Sequence, residues 1–111
     1  MATKLNKRKL LKKVTKILKN FNDLAWTSNN GVINIKELKD DHLLNTVCYL
    51  HRRIKSRKDL TFPDLEINGM GAIKWFKILR LEYMRRELST TLEQERLDRL
   101  MEMADKLFEG L

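Results

Sequence analysis

The stretch Ala72-Ile73-Lys74-Trp75-Phe76-Lys77-Ile78-Leu79-Arg80-Leu81-Glu82-Tyr83-Met84-Arg85-Arg86-Glu87-Leu88 decides the fold. Ile73, Trp75, Phe76, Ile78, Leu79, Leu81, Tyr83 and Met84 cover most of the circumference of a helix over 72–88. A helix that is apolar nearly all round has to be enclosed by other elements. This segment is therefore expected to be the third and central helix of a mainly α fold.

Its neighbours in sequence read as amphipathic helices that would enclose it. Residues 1–21 form a basic segment whose stripe of Leu10, Leu11, Val14, Ile17, Leu18 and Phe21 predicts a helix over 4–21. Residues 40–57 predict a second helix with Leu43, Leu44, Val47, Leu50 and Ile54 on one face. Asp40 or Asp41 is its expected N-cap, because a short carboxylate can accept from free backbone N–H groups. Residues 92–109 predict a fourth, acidic helix with Leu97, Leu100, Met101, Ala104, Leu107 and Phe108 on its apolar side. Thr90 with Glu93, or Thr91 with Gln94, fits a capping box before it. Glu95–Arg99 and Glu102–Lys106 are four-apart pairs in the favourable order.

Between the first two helices the period changes. Ala25-Trp26-Thr27 precedes Ser28-Asn29-Asn30-Gly31, and Val32-Ile33-Asn34-Ile35 follows. Asn-Gly tolerates the positive φ of a tight hairpin turn. A two-stranded hairpin over 25–36 is expected, with Trp26, Ile33 and Ile35 facing the core. Residues 58–71 read as a loop punctuated by Pro63, Gly69 and Gly71. Its Leu60, Phe62, Leu65, Ile67 and Met70 should pack it down. The expected architecture is one domain over 1–111: about four helices and one small β-hairpin.

Charge is distributed unevenly along the 111 residues. The formal net charge is +8, and residues 1–20 alone carry eight basic and no acidic side chains. Residues 89–111 carry three basic and six acidic ones. The single cysteine, Cys48, allows no intrachain disulfide. The residues after Met1 lack the apolar run of about 7–15 residues that a signal peptide needs. No run approaches the roughly 20 apolar residues of a membrane span. Cytoplasmic placement is the expectation.

Catalytic chemistry is poorly supplied. His42 and His51 are the only histidines. Cys48 and His51 lie three apart, but a zinc site needs about four ligands and no further pair has suitable spacing. A nucleophile pair would also need an orienting group and an oxyanion site. Cys48 therefore reads as a small buried residue and His51 as a surface one. Asp41 beside His42 could orient an imidazole. The structural alternative is that the aspartates cap the helix while His42 and Asn45 tie the hairpin to it. No catalytic residue, metal or cofactor is expected.

The basic residues are the stronger candidates. Lys9, Lys12, Lys13, Lys16 and Lys19 line the outer side of the first helix, and Arg52, Arg53, Lys55, Arg57 and Lys58 crowd the end of the second. Such faces can track phosphates, dock on a protein partner or lie on an anionic membrane. The membrane reading is the weakest, since no Trp-rich opposite face accompanies the lysines. The plainest reading is a solvated face, partly compensated by the acidic fourth helix. If nucleic acid is bound, lysine favours backbone contact over base reading. An apolar fourth-helix stripe and the lopsided charge would also permit a homodimer.

Trp26-Thr27, Gly31, Ile33, Ile35, Asp41-His42-Leu43 and Asn45 resemble a pattern recurring in small phage and prophage accessory proteins. Trp75, Leu79, Glu82 and Arg85-Arg86 look like the second half of that pattern. The resemblance covers about half the chain and carries no catalytic role. It implies a non-enzymatic phage-type protein that occupies a host protein or ribonucleoprotein in the host cytoplasm, defence effectors of the CRISPR type included. Direct binding of DNA or RNA through the lysine-rich helix is the alternative.

Overall fold

The computed structural model describes residues 6–28, 31–56, 66–67 and 70–111. Among them run helices α1 (Lys7–Leu18), α2 (Asp40–Ser56), α3 (Ala72–Leu88) and α4 (Gln94–Phe108). Strands β1 (Ala25–Ser28) and β2 (Gly31–Asn34) pair antiparallel, with Trp26 opposite Ile33. A second ladder joins β3 (Glu66–Ile67) to β4 (Met70–Gly71). The expected loop at 58–71 thus contains two short strands, while residues 57–65 and 68–69, including Pro63 and Gly69, lie outside the described residues.

Helix α3 is central: α1, α2 and α4 all pack on it. Trp75, Ile78, Leu79, Leu81, Met84 and Leu88 are buried along it. Ile73, expected in the core, is instead 45% exposed. The ring of Trp26 meets Trp75 edge-on, with centroids 5.1 Å apart, so the hairpin is pinned to the central helix. A two-stranded ladder is marginal alone, and this contact supplies its cover. Of the other expected inner residues, Ile35 is buried and Ile33 half-buried.

The buried and half-buried charges Arg80, Glu82, Arg85, Arg86 and Glu87 do not spoil the burial of α3, because each is ion-paired. Glu82 is 1% exposed and accepts from Arg85 Nε and Nη2 at 2.9 and 2.7 Å. Arg80 bonds Glu87 at 3.2 Å, and Glu87 in turn accepts from Arg96 of α4 at 2.6 Å. Among the described residues no buried side-chain polar atom lacks a partner. Buried charges persist only when neutralised in this way.

Helix ends depart from expectation in instructive ways. Asn6 caps α1 by accepting from the Lys9 N–H at 2.9 Å, so α1 begins at Lys7, and its tail tightens into a 3-10 turn at Lys19–Phe21. Residues 4–5 lie outside the described residues. Asp40 is not a cap, since α2's ladder already starts from the Lys39 carbonyl. Its carboxylate accepts from Arg86 at 2.8 Å, and Arg86 also donates to the Ile35 and Lys36 carbonyls. Arg86 therefore ties the segment after the hairpin to α2 and α3, a task expected of His42 and Asn45. Asp41 accepts from the His42 N–H instead. The capping box at α4 does not form: Thr90 donates backwards to the Glu87 carbonyl and Ser89 to that of Arg85, closing α3. Neither Glu95–Arg99 nor Glu102–Lys106 occurs among the described ion pairs.

Gly31 opens β2 at φ +107, with open space where a Cβ would stand. The residue is needed for its backbone alone. Gly31→Ala is expected to lower stability by about 1–2 kcal/mol through left-handed strain, visible as a lower midpoint in urea with unchanged slope. An unchanged midpoint would remove that role from Gly31.

Candidate functional site

Leu10, Val14 and Leu18 are buried, which turns the inner side of α1 onto α3. Spacing then forces Arg8, Lys9, Lys12, Lys13, Lys16 and Lys19 outward, and all six are exposed. Lys7 donates to the Thr90 carbonyl, and the Lys13 ammonium lies 4.6 Å from the Phe108 ring centre. No described ion pair joins α1 to α4, so the acidic helix does not neutralise the lysines by direct contact. The α4 stripe of Leu97, Leu100, Ala104 and Leu107 is buried within this domain, which removes that ground for a homodimer.

The lysine face is grooved. One shallow groove of about 580 Å³ runs between Lys9, Lys12, Lys13 and Lys16. A second, about 390 Å³, shares Lys12 and Lys16 and continues to Thr15 and Lys19. A third cleft, about 320 Å³, shares Thr15 and Lys19 and reaches Asn22, Ile35, Lys36, Glu82 and Arg85. Shared lining residues set the three side by side along α1 and over the hairpin's exit onto α3. The hydrogen bonds from Arg85 to Glu82 raise its pKa above the ordinary guanidinium value, partial burial opposing them less strongly.

The other candidate residues do not gather here. Arg52, Arg53 and Lys55 are exposed on α2, which packs on α3, and no described hydrogen bond or ion pair links them to the α1 lysines. Arg57 and Lys58 lie outside the described residues. Trp26 belongs to the core and Gly31 to the strand, while Asp41 and Asn45 are exposed and His42 is half-buried. Within this set the His42 N–H donates to Asp41. Cys48 is exposed, contrary to expectation, because Val47 and Leu50 take the inner side of α2. His51 is at the surface as expected and stacks on Phe76 with ring centres 5.6 Å apart. Among the described residues no group of three or more His, Cys, Asp or Glu side chains could hold a metal ion.

Lys36 and Arg85 were missed from the sequence. Glu82 with Arg85 and Arg86, at spacings of three and four inside an apolar helix, was the available sign of a buried charged cluster.

The fold and face define a small four-helix domain with a hairpin and a one-signed cationic surface. The chain matches no protein-family model, no curated protein and no solved structure. No helix among the described residues is long and apolar enough to cross a membrane.

Proposed function

We propose that this chain is a non-catalytic binding protein that docks the lysine face of α1 on the phosphate backbone of a nucleic acid. The observation that carries this reading is the composition of that face. Six exposed cations stand on it with no acidic residue in the helix. Among the described residues the exposed large apolar side chains are Val32, Leu44, Tyr49 and Ile73, and none of them is on α1. Protein interfaces bury apolar and aromatic anchors at their centre and are depleted in lysine there. A lysine row without such an anchor suits a phosphate strand better.

Lys9 to Lys19 spans about 15 Å of helix. One DNA strand carries about four phosphates over that length. The contact would be sequence-tolerant, because lysine supplies point charge and not a bidentate fork. The phage-type pattern at Trp26–Asn45 suggests the setting: a host nucleic acid, free or inside a ribonucleoprotein that the protein would obstruct.

Fluorescence anisotropy with labelled 20-nucleotide DNA and RNA tests this. Saturable binding with Kd of about 1–100 μM near physiological salt, tightening as salt is lowered, is expected. Absence of binding at low ionic strength with either probe refutes it.

A further inference from the structure

We infer that the cleft bounded by Lys19, Lys36 and Arg85 is a built seat for one backbone phosphate, anchoring the strand that runs along α1. The inference rests on the nucleic-acid reading above and deepens it. Lys9, Lys12, Lys16 and Lys19 are long and exposed and carry no described side-chain hydrogen bond or ion pair, so they give attraction without position. Arg85 differs from them. Its Nε and Nη2 are held by the Glu82 carboxylate at 2.9 and 2.7 Å, and Glu82 is itself 1% exposed on the central helix. The guanidinium is thereby fixed in the cleft wall, with a side-chain exposure of 35%. A planar fork that is already immobilised loses little freedom on meeting an oxyanion.

The surroundings suit an anion. Lys19 and Lys36 line the same cleft, so three cations stand against the one carboxylate of Glu82. That carboxylate is engaged by Arg85 and lies 3.8 Å from Arg86 Nε, which limits its repulsion of an incoming phosphate. Thr15 and Asn22 add uncharged polar groups to the lining, and Leu18 and Ile35 form its apolar part. Thr15 and Lys19 also line the adjoining groove, so the cleft lies next to the face that a strand on the α1 lysines would follow. The strand would be held by diffuse charge along α1 and registered at Arg85.

The test compares the wild-type chain with Lys36→Glu and Arg85→Gln in anisotropy titrations of a labelled 20-nucleotide single strand at several salt concentrations. Lys36 is fold-safe, since its described hydrogen bonds are made by its backbone. Each variant should bind about tenfold more weakly, with the salt slope reduced by about one. Lys36→Glu should keep the wild-type thermal midpoint, so its loss cannot be blamed on unfolding. Wild-type affinity in Lys36→Glu and in folded Arg85→Gln overturns the seat while leaving the α1 reading intact. Failure of the wild-type chain to bind overturns both. Saturable binding of inorganic phosphate alone at millimolar concentration, lost in Lys36→Glu, would reassign the cleft to a free anion. Tighter binding of a 20-residue polyglutamate peptide than of the oligonucleotide, with the same variant sensitivity, would reassign it to an acidic protein.

Discussion

Trp75→Ala is expected to destabilise the protein by about 3–5 kcal/mol, the range for deleting a large buried ring. Trp75 is 1% exposed on the helix that every other helix touches. Its loss would leave a cavity at the centre and also remove the edge-on contact with Trp26 that pins the hairpin. Domains of this size hold about 5–15 kcal/mol in total, so roughly a fifth or more of the stability would go. The thermal midpoint followed by circular dichroism should fall by about 15 °C or more. A fall of less than about 5 °C would mean that α3 is not the organising element.

The largest effect on binding is expected from Lys9→Glu, Lys12→Glu and Lys16→Glu combined. Each substitution removes two charge units, so the formal net charge falls from +8 to +2. All three positions are exposed and none carries a described side-chain hydrogen bond or ion pair. Stability should therefore stay within about 1 kcal/mol of wild type, as for surface positions generally. Affinity for the 20-nucleotide probe should drop by about a hundredfold or more at low salt, because three phosphate contacts become three repulsions. Arg52→Glu, Arg53→Glu and Lys55→Glu combined, on α2, should do much less. Equal losses from both sets would show that net charge, and not the α1 face, governs binding.

The core was legible in the sequence where local pattern alone dictates structure. The apolar circumference of 72–88 can be satisfied only by enclosure, and the α1 stripe faces it as the spacing requires. Caps were less legible, because Asp, Ser and Thr have several backbone groups within reach. Asp40 found Arg86, 46 residues away, and Thr90 turned back to close α3 in place of opening α4. Cys48 is exposed although its residue type favours burial, because Val47 and Leu50 occupy the buried side of α2. Of the candidate site, the lysine row follows from spacing, since whatever is not in the stripe must face out. The Lys19–Lys36–Arg85 cleft does not, because three segments far apart in sequence build it. Only the Glu82–Arg85–Arg86 charges within an apolar run hinted at it.

The central claim is that an open lysine face meets phosphates. It is tested most directly by the slope of log K against log salt for the wild-type chain and an unstructured 20-nucleotide strand. Four to six contacts predict a slope of about −3 to −4. A slope near zero, with binding retained at high salt, would contradict the account and point to an apolar docking surface elsewhere on the domain.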